Sequence, residues 1–331
     1  MRPFRYEHAP DRAAALRAGG AEGANYLAGG TTLIDLMKLD VMRPTTVVDI
    51  NGLAREHGEI HAEPERLQLG ALARLSDVAD NPTVRRDYPV IAQSLDLAAS
   101  QQLRNMASLG GNVLQRTRCY YFRDVSWSAC NKRKPGSGCT ALQAPNRNLA
   151  VLGVSDHCIA NYPGDFAVAL AALGATVDLE GPSGRRVIPF EELHRLPGDR
   201  PDIETTLKPG ELITGFSVPA GPWTRRSLYL KIRDRQSYEF ALASAAVALD
   251  LDGGGVVREA RIGVGGVAAK PWRSPEAEAQ LRGKPLNEAT ARAAADAAFA
   301  NAVTHGELKF KPELGRRTLV RGLLQARTME A

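Results

Sequence analysis

All four cysteines of this 331-residue chain fall within one short stretch, residues 119–158. Its glycines and prolines interrupt helices and strands, and its apolar residues follow neither the helical nor the strand period. Something other than hydrophobic burial is therefore expected to organise it. This cysteine stretch constrains the fold more than any other part of the sequence.

Several kinds of chemistry could use four cysteines at this spacing. They could form disulfides in more than one connectivity. A structural zinc takes four thiolates, but zinc sites usually contain closely spaced cysteine pairs, which are absent here. An iron–sulfur cluster takes four thiolates from longer loops. Free thiols without a common function are the remaining alternative.

Basic residues crowd the cysteine stretch and favour the cluster. A cluster held by four thiolates carries net negative charge, which nearby cations would offset. The basic residues are Arg116, Arg118, Arg123, Lys132, Arg133, Lys134 and Arg147.

Length and composition predict an ordinary soluble protein of about two domains. Hydrophobic residues make up 44% and charged residues 24% of the chain. The net charge of +5 is mostly dispersed and lacks interleaved aromatics, so we expect no nucleic-acid surface. No apolar run is long enough to span a membrane. The N-terminal segment has charges where a secretory signal needs an apolar core, so we expect no signal of its own.

The first of two glycine loops follows an apolar strand and precedes an amphipathic helix. Gly29 and Gly30 would let backbone N–H groups approach an anion, and Thr31 and Thr32 would cap the helix and donate to oxygens. The pattern is neither a dinucleotide fingerprint nor a Walker loop. The alternative is a plain strand–turn–helix with a threonine N-cap.

The second glycine loop contains Gly110 and Gly111, flanked by Ser108 and Asn112. It again offers close backbone approach and short polar side chains. Two such loops can face one extended cofactor from opposite sides, and the cysteine stretch begins soon afterwards. Farther on, Asp165 precedes an apolar helix predicted over residues 166–173, where an N-cap role alone would account for it.

The C-terminal part predicts a second unit that begins after residue 220. Its pattern indicates a sheet with helices on one face, an α+β layer arrangement. The expected elements are strands over 227–233, 240–251 and 256–267 and helices over 287–303 and 312–329.

Together these features resemble the FAD-binding (medium) subunit of the molybdenum hydroxylases, the xanthine dehydrogenase and carbon monoxide dehydrogenase family. The resemblance spans nearly the whole chain. It is carried by residues 27–33, 104–112, 165, 211–213, 229–231 and 237–241. It implies an α+β fold with a two-part FAD-binding domain of the PCMH type over 1–220, which carries the cysteine insertion at 114–160. A smaller CO dehydrogenase flavoprotein-like α+β domain would follow over 221–331.

The resemblance implies roles for individual residues. The FAD pyrophosphate would be held by the first loop, through Leu27, Ala28, Gly29, Gly30, Thr31, Thr32 and Leu33, with Tyr26 and Ile34 flanking it. The flavin and its chain would lie along Ala107, Ser108, Gly111 and Asn112. Asp165 would hydrogen-bond a ribityl or adenosine hydroxyl and Ile213 would pack on the isoalloxazine. Lys231 would stand beside the ring, where a cation stabilises an anionic reduced flavin. No catalytic acid, base or nucleophile is expected.

The inserted cysteine stretch is similar to the variant found in bacterial aldehyde oxidoreductases of the periplasmic type. In these enzymes the flavin subunit carries an additional [4Fe-4S] cluster. The similarity implies that the cluster ligands are Cys119, Cys130, Cys139 and Cys158.

The implied function is electron transfer within a heterotrimeric molybdenum aldehyde oxidoreductase. A molybdopterin-binding large subunit would oxidise the aldehyde to a carboxylic acid, and a [2Fe-2S] small subunit would pass the electrons to this chain. FAD would then deliver them to an external acceptor. The complex would be periplasmic if a twin-arginine partner co-exports the chain, and otherwise cytoplasmic.

Two other functions remain open at this point. One is the flavin subunit of a hydroxybenzoyl-CoA reductase-like or NAD-dependent xanthine dehydrogenase-like enzyme. The other, of a different class, is a zinc-stabilised binding module.

Overall fold

The computed structural model describes residues 1–330 and shows a mixture of sheets and helices. Strands β1 to β12 are Arg5–His8, Ala24–Leu27, Thr46–Asp49, Ile60–Ala62, Arg66–Gly70, Thr176–Gly181, Gly184–Pro189, Leu212–Pro219, Ser227–Ile232, Ala243–Leu251, Val257–Gly265 and Trp272–Arg273. Helices α1 to α13 are Arg12–Gly19, Leu33–Lys38, Ala54–His57, Leu75–Asp80, Pro82–Asp87, Pro89–Asp96, Gln101–Met106, Leu109–Val113, Tyr120–Arg123, Asp165–Leu173, Pro275–Leu281, Glu288–Ala298 and Lys311–Arg327. Each helix within residues 1–330 is too short or too polar to cross a lipid bilayer.

The N-terminal sheet is parallel, with strand order β1-β3-β2. Parallel neighbours need crossover connections, and α1 and α2 supply them. The Asp11 side chain accepts a hydrogen bond of 2.7 Å from the Ala14 N–H and caps the start of α1. Strand β2 ends at Leu27 and α2 begins at Leu33, so the first glycine loop joins a strand to a helix as predicted.

The middle sheet has strand order β4-β5-β8-β6-β7, and all of its pairings are antiparallel. Strands β6 and β7 form a hairpin, which closes with the pairing of Gly181 and Gly184. Helix α10 packs against this sheet and is buried along its whole length. Serine is a common N-cap residue, but Ser76 is buried inside α4, which begins at Leu75.

The C-terminal sheet is antiparallel, with strand order β12-β11-β10-β9. Successive residues of β10 enter two different cores because side chains alternate across a sheet. Ala245 and Val247 join the core formed with α11 to α13, whereas Ala246 and Ala248 join the core that contains α6 and α10. The prediction of helices on one face therefore holds only for the C-terminal helices, since α6 and α10 cover the other face.

Lys311, at the first position of α13, is fully buried between the cysteine stretch and the end of β11. Its Nζ donates hydrogen bonds of 2.7 Å to the carbonyl oxygens of Leu149 and Gly266. Burial lowers the pKa of Lys311 from 10.5 to about 7, because the charged form loses its hydration.

This buried lysine predicts a rise in stability with pH. Between about pH 7 and 10.5 the unfolded chain retains a proton that the folded chain has released. The free energy of unfolding should therefore increase across this window, by up to about 1.4 kcal/mol per pH unit. Denaturant unfolding at several pH values should show a flatter profile for Lys311→Met than for the parent. The exposed Lys309→Met serves as control, and an equal slope in Lys311→Met would contradict the assignment.

Candidate functional site

The two glycine loops touch each other through their backbones. They are defined here as residues 28–32 and residues 107–112. A Cβ atom at Gly29 would lie 2.0 Å from the Met106 carbonyl oxygen and 2.9 Å from the Ala107 Cα, so only glycine fits. Gly30 has a φ of +72°, a backbone conformation that side chains disfavour. The first loop therefore requires both glycines, one for close approach and one for the turn.

Two side chains clamp the loops together. Asn51 donates a 3.0 Å hydrogen bond to the Ala28 carbonyl, and Arg74 donates to the Met106 carbonyl. Arg74 also donates to the Asn51 Oδ1 at 3.1 Å, which joins the two contacts. Main-chain hydrogen bonds from the second loop to residues 71–75 complete the support. No sequence motif marks Asn51 or Arg74, so neither residue was predicted.

A cavity of about 340 Å³ lies between the loops. The site residues predicted from the sequence that line it are Tyr26, Ala28, Gly29, Gly30, Thr31, Thr32, Leu33, Ser108, Gly111 and Ile213. The predicted site residues outside this lining are Leu27, Ile34, Ala107, Asn112, Asp165 and Lys231. The cavity wall also contains Arg116 and Lys208, two cations that were not predicted for this site.

Polar groups around the cavity match an anionic, hydroxyl-bearing cofactor. Thr32 occupies the N-cap position of α2, but its side chain makes no capping hydrogen bond. The plain N-cap alternative therefore does not account for this threonine. The Asn112 Oδ1 is buried without a hydrogen-bond donor among residues 1–330, but it lies outside the cavity lining. Within the lining, the side chains of Thr31 and Thr32 and the cations of Arg116 and Lys208 suit an anionic ligand.

Asp165 is held in a closed polar cluster rather than at a helix cap. Gly164 takes the N-cap position, and the buried Asp165 carboxylate accepts hydrogen bonds of 2.7 Å from Tyr229 and 2.8 Å from Lys231. The Lys231 Nζ also donates to the Leu97 carbonyl at 3.0 Å. The N-cap interpretation of Asp165 is thus wrong, because a cation and a phenol take up both carboxylate oxygens. The FAD contacts predicted for Asp165 and Lys231 remain predictions.

The four cysteines converge although they are far apart in the chain. Cys119, Cys130 and Cys158 are buried, and Cys139 packs against the same apolar cluster, which includes residues of the C-terminal sheet. The expectation that burial does not organise the stretch is therefore wrong. All four are free thiols. Within residues 1–330, no group of three or more His, Cys, Asp or Glu side chains is arranged to hold a metal ion.

Asn131 connects the backbone segments next to Cys130, Cys139 and Cys158 through hydrogen bonds. It follows Cys130, its Nδ2 donates to the His157 carbonyl at 3.0 Å, and its Oδ1 accepts from the Gly138 N–H at 2.8 Å. Arg133 holds the segment that follows Cys119 by donating hydrogen bonds to the carbonyl oxygens of Tyr121, Phe122, Asp124 and Trp127. Backbone carbonyls that would otherwise lack partners in this irregular segment are satisfied in this way.

Burial keeps the thiols of Cys119, Cys139 and Cys158 neutral, while backbone N–H groups are directed at their sulfur atoms. Burial raises the pKa of Cys119 to about 12. Hydrogen bonds from the backbone N–H groups of Tyr121 and Phe122, in the helix that follows, act in the opposite direction and lower it. Burial likewise raises the pKa of Cys158 to about 11. The positive charge of Lys132 and the backbone N–H of Ala160 lower it, but by less than burial raises it. The pKa of Cys139 is raised by burial as well. N–H groups aimed at sulfur are a feature by which proteins tune iron–sulfur sites.

Most of the nearby basic side chains have carboxylate partners instead of facing the thiols. Arg118 and Arg123 both bind Asp35. The other pairs are Arg116 and Lys132 with Glu204, and Arg147 with Asp234. Arg133 binds backbone carbonyls. Of these, Lys132 also acts on a thiol, since its charge lowers the pKa of Cys158. The predicted neutralisation of cluster charge therefore rests on fewer cations than the sequence indicated.

Comparison with known families places the chain in a class. Residues 2–221 match the FAD binding domain in molybdopterin dehydrogenase, and residues 228–331 match the CO dehydrogenase flavoprotein C-terminal domain. The chain belongs to the family of FAD-binding subunits of molybdenum hydroxylases, which are parts of oxidoreductase complexes. The resemblance seen in the sequence is confirmed.

Individual relatives agree with this class. The chain is 46% identical over 329 residues, 99% of both sequences, to the aldehyde oxidoreductase FAD-binding subunit PaoB of Escherichia coli (strain K12). It is 28% identical to the glyceraldehyde dehydrogenase medium chain of Sulfolobus acidocaldarius, with 81% of this chain and 77% of that protein covered. A structure of carbon monoxide dehydrogenase from Hydrogenophaga pseudoflava matches with a TM-score of 0.76 and 26% identity, over 99% of both chains. The predicted fold class is confirmed.

The free threonine side chain of the first loop predicts a specific loss in Thr32→Val. Removing a hydrogen bond to a charged phosphate should weaken FAD binding by about tenfold or more, without changing the stability of the cofactor-free protein. Fluorescence titration of the apoprotein with FAD measures this effect. Thr304→Val, at an exposed position away from the cavity, is the matched control. Unchanged FAD affinity in Thr32→Val would contradict a direct contact.

The buried ion pair predicts a large stability loss in Asp165→Asn. This change leaves the Lys231 charge buried without its partner, and we expect a cost of about 3–5 kcal/mol in the free energy of unfolding. The double variant with Lys231→Met should lose less than the sum of the single changes. Asp202→Asn, which breaks an exposed pair with Arg200, should cost about 1 kcal/mol or less. Equal losses for Asp165→Asn and Asp202→Asn would show that burial does not set the cost of breaking the pair.

Proposed function

We propose that this chain is the FAD- and [4Fe-4S]-carrying electron-transfer subunit of a molybdenum aldehyde oxidoreductase. The observation that supports this proposal most directly is a cavity lined by both glycine loops with a cysteine of the insertion nearby. The glycine-loop cavity shares Arg116 with a second cavity of about 350 Å³, and within residues 1–330 Cys158 is the one cysteine in the wall of that second cavity. A cluster bound through Cys158 would therefore lie near FAD bound between the glycine loops.

The partners follow from the class of complex. A large subunit that binds molybdopterin would convert an aldehyde into a carboxylic acid, and a small [2Fe-2S] subunit would deliver the electrons here. An external acceptor would take them from FAD. The aldehyde substrate class is supported by the aldehyde-oxidising relatives at 46% and 28% identity. We also propose that the FAD-binding domain comprises residues 1–220 and the C-terminal domain residues 221–331.

FAD would supply a redox centre that exchanges electrons singly or in pairs. The chain's own residues would bind and orient it. Glycine-loop N–H groups and the hydroxyls of Thr31 and Thr32 would hold the pyrophosphate, with Arg116 and Lys208 offsetting its charge. Ile213, which is 5% exposed, would pack against the flavin side of the site and exclude water. These roles require no general base and no nucleophile.

The four thiols would hold the iron–sulfur cluster. Support comes from their convergence in one apolar cluster and from the N–H groups directed at the sulfurs. Because burial raises the pKa of Cys119, Cys139 and Cys158, these thiols must release protons when they bind iron.

Absorption spectroscopy and metal analysis of the purified full chain test this proposal. We expect flavin bands, a broad iron–sulfur shoulder, and about four irons with matching acid-labile sulfide per chain. Zinc with a featureless visible spectrum would instead support the zinc-stabilised binding module. Flavin bands without iron would support the assignment as an FAD subunit and contradict the proposed cluster.

Cys139→Ser should separate the two cofactors. Cys139 is less buried than the other three cysteines, so serine is tolerated there with little strain, but it is a poor ligand for iron. We expect the cluster to be lost or altered while most of the FAD is retained, as measured by iron content, EPR and flavin content. The exposed Ser128→Ala is the control within the same stretch. Full iron with an unchanged EPR signal would refute the ligand assignment.

A further inference from the structure

Glu204 bridges two cations that face different cofactor sites. The Arg116 Nε donates a 2.6 Å hydrogen bond to Glu204 Oε1, and the Lys132 Nζ lies 3.4 Å from Glu204 Oε2. Lys132 also donates to the Pro201 carbonyl at 3.1 Å. The three side chains are only 11–24% exposed. We call this array the Arg116–Glu204–Lys132 triad.

Each end of the triad reaches one of the two sites. Arg116 lines the glycine-loop cavity and packs with its guanidinium 4.5 Å from the centre of the Phe122 ring. Lys132 lines the second cavity together with Cys158. Glu204 lines the second cavity between them. The triad therefore forms a continuous path of charged contacts from one site to the other.

Stability alone is a weak reason for such an array. Partly buried ion pairs gain attraction but lose hydration, and the net contribution is often small. Partly buried charges influence neighbouring groups over longer distances than surface charges do, because little solvent screens them. Fixed charges next to a redox centre shift its reduction potential according to their sign.

We propose that the Arg116–Glu204–Lys132 triad sets the reduction potentials of both cofactors and couples them electrostatically. This inference rests on the proposed function, because it requires both FAD and the cluster. The three residues act as positioning residues: they place charge beside each centre and carry no electrons themselves. Glu204 is the common element, since it offsets both cations at once.

The sign of each effect follows from the charge that is removed. Reduction adds negative charge to a centre, so an uncompensated cation nearby favours the reduced form. Glu204→Gln leaves both cations uncompensated and should raise the potentials of the cluster and of the flavin. Lys132→Gln removes the cation beside Cys158 and should lower the cluster potential, with a smaller change at the flavin.

Redox titration of the full chain, purified with its cofactors, provides the test. The flavin is followed by absorbance and the cluster by EPR, in the parent and in Glu204→Gln and Lys132→Gln. Asp199→Asn is the matched control, because it removes one negative charge from an exposed position in the same loop, outside the lining of both cavities. Raised potentials at both centres in Glu204→Gln, a lowered cluster potential in Lys132→Gln and no change in Asp199→Asn would support the inference.

Other outcomes separate this inference from the proposed function. If parent and variants hold full iron and FAD but their potentials agree, the triad is structural and the coupling is overturned. If only one centre responds to Glu204→Gln, the link between the two sites is overturned. If the parent holds no iron, the proposal of a cluster is refuted, and the proposed coupling is refuted with it. Should Glu204→Gln fail to fold, Lys132→Gln still tests the cluster end.

Discussion

The backbone contact between the two glycine loops is the constraint on which the site depends. Gly29 meets the main chain at Met106 and Ala107 so closely that no Cβ could fit between them. The N-terminal parallel sheet and the helices of the second loop can therefore approach only at this glycine. Asn51 and Arg74 bind the carbonyls on either side of the contact and fix its geometry. The cavity is the space that this arrangement leaves open.

A second constraint joins the flavin domain to the C-terminal sheet. Strand β10 is buried on both faces, so it can form only when the helices of both parts are present. The pair of Asp165 and Lys231 crosses the same junction, from α10 to β9. A charge pair in such a place must be satisfied geometrically, because either partner alone would be costly to bury. The two parts of the chain therefore support each other in folding.

The features that could be predicted from the sequence are local ones. Glycine loops, the hairpin between β6 and β7 and the capped helix α1 follow from residues close together in the chain. The features that could not be predicted depend on distant partners. Asp165 has the position of a cap for its own helix but binds side chains of β9, and most basic residues of the cysteine stretch bind carboxylates elsewhere. Spacing along a chain carries no information about such pairs.

The cysteine stretch shows why the pattern of its residues is a poor guide to its packing. It lacks a helical or strand period, yet its apolar residues, including Tyr121, Phe122 and Val151, are buried in the cluster that also contains residues of the C-terminal sheet. Its polar segments are held by Asn131 and Arg133 through backbone atoms. The stretch is thus stabilised by apolar burial and by these hydrogen bonds, in addition to any cofactor. Burial raises the pKa of Cys119, Cys139 and Cys158, so these desolvated thiols are neutral when no cation is present, and the folded chain holds them without placing uncompensated negative charge in the core.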